Sequence, residues 1–317
     1  MINPPIISVA LCTYNGEKFL TEQLDSLIAQ TYKNIEIIAV DDCSTDDTFG
    51  ILTAYAAKYG NISIYRNDQN KGFLKNFETA LSYCHGEFIA LCDQDDVWHP
   101  EKIALQVAAI GDNMIIYHDS EFIDDEGKLT GEKISDSHNL YRGNEPKVFL
   151  FRNCVSGHAM LIRKDLLKHA FPFENNFYHD WWLTYVAVNV GSIDYIPKCL
   201  VKYRRHAESS TEKDVLTKSA RILQDIKWLE LCASYKENKE PEFVKKLLEL
   251  YKNRTNSFTS IQLRNMLMKN VDLLFYIDNR NRSAKLKHIK RFFWGLKTKN
   301  FWYTYISPKP EKVFRYK

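Results

Sequence analysis

The chain has 317 residues, with 43 Lys or Arg against 40 Asp or Glu and a formal net charge of +3. A hydrophobic share of 45% and a charged share of 26% describe ordinary globular material and exclude a disordered or collagen-like chain. The near-neutral average hides an asymmetry: residues 280–317 carry twelve Lys or Arg and only Glu311 as an acid, a net of +11, which leaves −8 on the other 279 residues.

Residues 6–12 are a β-branched apolar run and predict a strand, closed by the polar break Thr13-Tyr14-Asn15-Gly16. Over 17–30, Phe19, Leu20, Leu24, Leu27 and Ile28 recur at helical spacing. Residues 35–40 predict a second strand, ending at Asp41-Asp42. Ser44-Thr45-Asp46-Asp47 reads as a helix start leading into 49–59. A third strand follows over 62–65, a helix over 73–83, and a fourth strand over 88–91 that runs into Asp93-Gln94-Asp95-Asp96. This alternation predicts a parallel, doubly wound α/β sheet. Ligands bind such sheets beyond the carboxyl ends of the strands, where the three polar clusters lie.

The middle of the chain is less regular. Strands are predicted over 114–118 and 159–162, a polar loop or hairpin over 124–141, and a helix start near Lys164. An aromatic stretch, 177–182, leads into an apolar helix over 183–190. Beyond about 212 the pattern is helical only: 213–235, 242–264, then a stretch with Met266, Leu267, Leu273, Leu274 and Phe275. Neither Gly-x-Gly-x-x-Gly nor a P-loop occurs. No apolar run reaches the eighteen or so residues of a membrane span. The N-terminal residues lack a basic segment, so no signal peptide is expected. Seven cysteines without a CxxC pair fit a reducing cytosol.

Asp93-Gln94-Asp95-Asp96 is the sharpest chemical signal. Three carboxylates in four residues repel one another unless a cation offsets them, and hard oxygen ligands suit Mg2+ or Mn2+ bridging to phosphates. An acidic cap on a helix from about Pro100 is the plainer alternative. Asp41-Asp42 can accept hydrogen bonds from a ribose or base edge, or cap a turn. Thr13-Tyr14-Asn15 is by itself no more than a turn with polar side chains.

Together these blocks carry a resemblance. ISVALCTYNGEKFLTEQLDSLIAQTYKNIEIIAVDDCSTDDT, NKGFLKNFETAL and IALCDQDDVW resemble family 2 glycosyltransferases of the GT-A fold. YHDWWLTYVA and YRRHAESST are similar to the branch of bacterial rhamnosyltransferases and related O-antigen or capsule enzymes. The likeness spans about residues 6–211. It implies a GT-A catalytic domain over 1–211, with a nucleotide-sugar half to about 100 and an acceptor half over 101–211. The implied sheet is Rossmann-like, mostly parallel and flanked by helices, with a helical extension over 212–317.

The resemblance also implies roles. Thr13, Tyr14, Asn15 and Glu17 would line the nucleotide pocket, Asp41 and Asp42 would meet ribose and base, and Lys75 would lie near the nucleotide. Gln94 and Asp96 would belong to the donor site, and Asp93, Asp95 and His206 would hold Mg2+ or Mn2+. Asp180 would be the base that takes the acceptor hydroxyl proton in an inverting transfer, or else an N-cap of the helix after it. Relatives often carry an acid before this Asp; here it is His179. His158 would meet the donor sugar or be a structural histidine. Of Trp181 and Trp182, one is expected against a sugar ring and the other in the core.

The implied partners are a nucleotide-sugar donor, with dTDP-rhamnose favoured over UDP-hexoses and UDP-N-acetylhexosamines, and a glycan or lipid-linked glycan acceptor. A non-catalytic nucleotide-sugar or glycan-binding protein is the alternative reading, and an oligomer is compatible with the sequence. Over 285–299, Leu286, Ile289, Phe292, Phe293 and Leu296 alternate with Lys287, Lys290, Arg291 and Lys297. Such a helix over 284–317 would dock on an anionic membrane from the cytoplasmic side, or pack on the protein with a solvated basic face. No nucleic-acid-binding module accompanies the charge.

Overall fold

The computed structural model describes residues 4–174, 177–206 and 217–303. Residues 207–211 of the last motif and 304–317 of the basic tail lie outside the described residues. The chain divides into two units, Met1–Asn144 with Asn153–Arg205, and Glu145–Arg152 with His206–Lys317.

The first unit opens with β1 (Ile7–Thr13), α1 (Glu17–Ile28), β2 (Ile35–Asp41), α2 (Thr48–Lys58), β3 (Ile62–Arg66), α3 (Phe73–Tyr83) and β4 (Phe88–Cys92). Every residue of β1 and β4 is buried, as expected for parallel strands covered on both faces. That burial explains their unbroken apolar runs. β1 pairs in parallel with β2, Thr13 opposite Asp41, and with β4, Leu11 opposite Cys92. The carboxyl ends of the three strands therefore share one edge, and all three polar clusters emerge there.

β5 (Val97–Trp98), α4 (Lys102–Ala109), β6 (Ile115–Ile123), β7 (Leu129–Lys133), β8 (Leu161–Arg163), α5 (Leu167–Ala170), α6 (His179–Val190) and β9 (Ile193–Arg204) follow. The sheet order is β3-β2-β1-β4-β8-β6-β9-β5, with β7 paired to β6. β8 runs antiparallel to both β4 and β6, while β9 runs parallel to β6. The sheet is thus parallel through its first four strands and mixed as a whole. Leu11, Leu24, Ile37, Leu52, Ala90 and Ile103 belong to its main core. All seven cysteines are free thiols.

In the second unit a short 3-10 turn, Pro146–Phe149, precedes α7 (Lys218–Ser234), α8 (Pro241–Lys252), α9 (Ser257–Lys269), α10 (Val271–Leu274) and α11 (Arg282–Tyr303). Pro241 opens α8 at a position where its missing N–H is harmless, and Val244, Leu247, Leu250 and Tyr251 form its buried stripe. Asn256 caps α9 by accepting from Phe258 N at 3.0 Å. The ring of Phe151 stacks on Phe275 at 5.8 Å, and Trp228 Nε1 donates to Phe149 O at 3.2 Å. The segment 145–152 is therefore part of this unit's core. Ile289 and Phe293 of α11 are buried, whereas Lys287, Lys290 and Arg291 are exposed. Part of the tail's apolar face is consequently used in packing. Among the described residues, no helix is long and apolar enough to cross a membrane.

Candidate active site

The loop after β1 is stitched to its neighbours by its own polar residues. Asn15 adopts a positive φ of 46°, a conformation its short amide side chain tolerates. Its Oδ1 accepts from Thr45 N at 2.8 Å. Glu17 accepts from Asp47 N at 2.8 Å, just before α2. Gln94 grips Tyr14 twice, accepting from Tyr14 N at 2.8 Å and donating to Tyr14 O at 3.0 Å. A Cβ on Gly16 would fall 2.2 Å from Gln94 Oε1, so a side chain here would displace the Gln94 amide from Tyr14. The ring of Tyr14 stays 45% exposed, free to meet a ligand.

Asp41 and Asp42 are buried and already engaged. Asp41 accepts from Thr13 Oγ1 at 3.1 Å, from Ser44 N at 3.0 Å and from Ser44 Oγ, and Arg66 Nε lies 3.3 Å away. Asp42 holds the 67–72 loop through Asn67 Nδ2 at 2.8 Å, Lys71 N at 2.9 Å and Gly72 N at 2.8 Å. Both carboxylates shape the edge of the site. Lys75 turns to Glu78 Oε2 at 3.0 Å and Phe173 O at 3.2 Å, in a cleft that also includes Lys71 and Phe171.

The acidic loop is the electrostatic centre. Burial raises the pKa of Asp93 to about 7, and the charges of Asp95 and Asp180 push it the same way. Asp180, at the start of α6 and 87 residues on in sequence, is thereby brought to the loop. Burial likewise raises Asp96 well above the ordinary carboxylate range, and Asp95 and Asp93 add to it. Asp96 Oδ1 accepts from Arg204 N at 3.0 Å, but Oδ2 is buried without a hydrogen-bond partner. His158 Nδ1 lies 3.8 Å from that oxygen, and its Nε2 is 2.9 Å from Ser120 Oγ. The His158 ring stacks on Tyr203 at 4.4 Å, and burial lowers its pKa to about 3, keeping it neutral and able to ligate.

Asp93, Asp96 and His158 each offer a ligand atom within 4.8 Å of the others. Two hard oxygens with an imidazole fit Mn2+ or Mg2+, and the orphaned Asp96 Oδ2 is the kind of buried atom a cation satisfies. Asp95 borders this group, while its carbonyl accepts from Arg204 Nε at 2.8 Å. His206 follows β9 and is the first residue of the second unit's main segment, outside the group.

Asp180 is half-buried, and burial raises its pKa to about 6. The backbone N–H groups of Trp181, at 2.6 Å, and Gly157 donate to it and oppose the rise. Tyr178 occupies the N-cap position of α6, so the cap alternative for Asp180 does not hold. His179 packs its ring on Phe77 at 4.2 Å, and burial lowers its pKa to about 3. Trp182 is core, donating from Nε1 to Ala170 O at 2.8 Å, while Trp181 is partly exposed beside Asp180.

Two residues here escaped the sequence reading. Lys102 is fully buried with Nζ 3.5 Å from the Trp98 ring centroid, and burial lowers its pKa to about 7. Arg204 is buried at the end of β9 and braces the acidic loop from behind. Its only sequence signal was the Tyr203-Arg204-Arg205-His206 run.

A sheet with this order and an acidic loop at its carboxyl edge defines a GT-A glycosyltransferase fold. The fold of S. aureus TarS 1–349, crystallised in complex with UDP-GlcNAc, matches it with a TM-score of 0.60 at 19% identity, covering 98% of this chain and 99% of that one. A mannosyltransferase from Pyrobaculum calidifontis, in complex with GDP-Man and Mn2+, matches with a TM-score of 0.54 at 14% identity, covering 95% and 88%. Residues 8–171 match the family model of Glycosyl transferase family 2. An uncharacterized glycosyltransferase of Rickettsia prowazekii is 31% identical over 227 residues, 66% of this chain and 67% of that protein. One of Haemophilus influenzae is 29% identical over 225 residues, 67% and 69% respectively. The chain belongs to glycosyl transferase family 2 and is a glycosyltransferase.

A cation held by this group would carry a pH signature. Below about pH 7 Asp93 keeps its proton in the folded protein, and an incoming cation must displace it. Above that pH Asp93 is ionised, so a cation gains most. The rise in Tm produced by Mn2+ over EDTA is expected to be small at pH 5 and several degrees at pH 8. Scanning fluorimetry across this range checks it; an equal shift at both values would contradict the site.

Proposed function

We propose that this protein is an inverting, divalent-cation-dependent transferase that moves a sugar from a nucleoside-diphosphate donor to a glycan or lipid-linked glycan in surface polysaccharide synthesis. The observation that carries the reading is Asp180, a carboxylate with pKa raised to about 6, placed against Asp93 at the carboxyl edge of the sheet. Asp180 takes the proton of the acceptor hydroxyl as that oxygen attacks C1 of the sugar. The C1–O bond to the diphosphate breaks on the opposite face, and its electron pair leaves with the nucleoside diphosphate. One carboxylate suffices because the diphosphate leaves without protonation, unlike the alcohol released in glycoside hydrolysis. Asp93, Asp95, Asp96 and His158 would hold a divalent cation, whose chemistry is Lewis-acid neutralisation of the diphosphate charge. Tyr14 and Trp181 offer rings to the base and sugar.

The donor preference is dTDP-rhamnose, from the Tyr178-His179-Asp180-Trp181-Trp182 and Tyr203-Arg204-Arg205-His206 runs. UDP-GlcNAc in the TarS fold neighbour supports the second reading, a UDP-hexose or UDP-N-acetylhexosamine donor. A thermal-shift screen with Mn2+ separates them, since a ligand stabilises the folded state once it exceeds its Kd. We expect the largest shift with dTDP-rhamnose. A shift with UDP sugars and none with dTDP-rhamnose would overturn the preference, and donor binding without transfer to any acceptor would favour the non-catalytic alternative. The exposed Lys287, Lys290 and Arg291 support peripheral docking on the cytoplasmic face of an anionic membrane.

A further inference from the structure

An aromatic pair with one exposed ring lies next to Asp180 in the first unit. Phe73, the first residue of α3, is 47% exposed despite its large apolar ring. Its ring lies 5.9 Å from that of the half-buried Tyr178, at an interplanar angle of 32°. Tyr178 stands two residues before Asp180, and the Phe73 ring lies 6.2 Å from the imidazole of His179 between them. A single exposed apolar side chain is ordinary, but two adjoining rings beside the candidate base form a surface.

This surface is held rigidly from two directions. His179 stacks on Phe77 with centroids 4.2 Å apart and on Phe173 at 6.4 Å. Both of its ring nitrogens are buried without hydrogen-bond partners, so the imidazole acts as a flat packing surface under the pair. Phe73 is anchored separately, through its backbone. Gly72 has a φ of 80°, in the left-handed region that favours glycine, and its N–H donates to Asp42 Oδ2 at 2.8 Å. The start of α3 is therefore tied to the residue that follows β2, at the carboxyl edge of the sheet. Tyr178 is placed by the segment that carries Asp180.

We propose that Phe73 and Tyr178 form the stacking platform for the pyranose ring of the acceptor. The proposal rests on the sugar-transfer reading, in which an acceptor hydroxyl meets Asp180. A pyranose has an apolar face of C–H groups and a rim of hydroxyls, and the apolar face packs on a flat aromatic ring. Transfer requires that the acceptor be oriented with one hydroxyl at the base, and a rigid platform beside Asp180 supplies that orientation. Trp181 then remains for the donor sugar. A lipid tail would gain as much from a leucine as from a ring, whereas a sugar face needs the ring itself.

Saturation-transfer NMR on the full chain tests the platform with the methyl glycosides of α-L-rhamnose, β-D-glucose, β-D-galactose and N-acetyl-β-D-glucosamine. The protein is irradiated in its aromatic region, without donor or cation. At least one glycoside is expected to receive saturation, chiefly at the C–H protons of one ring face. Phe73→Ala and Phe73→Leu should each raise the Kd of that glycoside roughly fivefold or more, the scale of an aromatic contact, while Phe73→Tyr stays close to wild type. Wild-type affinity in Phe73→Leu would show that apolar bulk suffices and would overturn the stacking role. Binding lost in Trp181→Ala but kept in Phe73→Ala would move the acceptor to Trp181 and overturn it too, as would a wild type that binds none of the glycosides. Nucleotide-sugar shifts in the Mn2+ screen are a separate readout. Their absence in the wild type counts against sugar transfer, whereas the Phe73 series counts for or against the platform alone.

Discussion

Asp180→Asn should lower kcat by about three orders of magnitude, within the range of roughly 100- to 10,000-fold that general-base catalysis contributes. The amide preserves the shape of the side chain and still accepts from the Trp181 N–H, which lies 2.6 Å from Oδ1 in the wild type. The fold should therefore survive, and cation-dependent donor binding should persist because Asp180 is not in the Asp93, Asp96 and His158 group. Wild-type kcat should also show an acid limb near pH 6. Burial raises the Asp180 pKa to about 6, the base must be ionised to accept a proton, and activity is lost as pH falls through that value. Bound donor and cation will move the limb, downward for the cation and upward for the donor phosphates. Near-wild-type turnover by Asp180→Asn, with folding confirmed by circular dichroism, would remove this residue from the mechanism.

How much of this site could be read from the chain depends on where each side chain finds its partners. β1, β2 and β4 were legible because buried parallel strands are continuous apolar runs, β3 because Ile62 and Ile64 alternate with exposed residues, and α1, α2 and α3 because of their apolar positions at helical spacing. β9 went unread because Pro197 interrupts it. The ladder passes from His118 opposite Ile196 to Asp119 opposite Cys199, so Pro197 and Lys198 are accommodated at a register shift. β7 is exposed at all five positions and has no apolar alternation to read. The acidic loop announced itself through charge density alone. The engagement of Asp41 and Asp42 did not, since their main partners are loop amides and side chains as far as Gly72, 30 residues away. Asp96 meets His158 only because β8 inserts between β4 and β6. The basic tail was visible as a charge excess, but not the pairing of Arg280 with Asp278 and of Arg282 with Asp272.

Arg204→Met should destabilise the folded protein by about 1–3 kcal/mol, the typical cost of leaving buried acceptors without their donors. The side chain is 2% exposed and its donors serve three places at once. Nε donates to Asp95 O at 2.8 Å, Nη1 to Asp124 O at 3.1 Å, and Nη2 to Glu22 Oε2 at 2.6 Å. The guanidinium also lies 4.6 Å from the Phe19 ring centroid, giving a buried cation–π contact. Methionine fills much of the volume but leaves the carbonyls of Asp95 and Asp124 without these donors, and Asp96 loses the adjoining positive charge. Lysine would keep the charge but cannot present a fork to three acceptors, so Arg204→Lys should recover only part of the loss. Urea unfolding should show a lower midpoint at an unchanged slope. The effect should reach the chemistry as well, because the Asp95 carbonyl is pinned by the same side chain that steadies the acidic loop. Mn2+ affinity should fall in both variants, more for methionine than for lysine. A large loss of stability with unchanged Mn2+ affinity would confine Arg204 to the fold and break its link to the site.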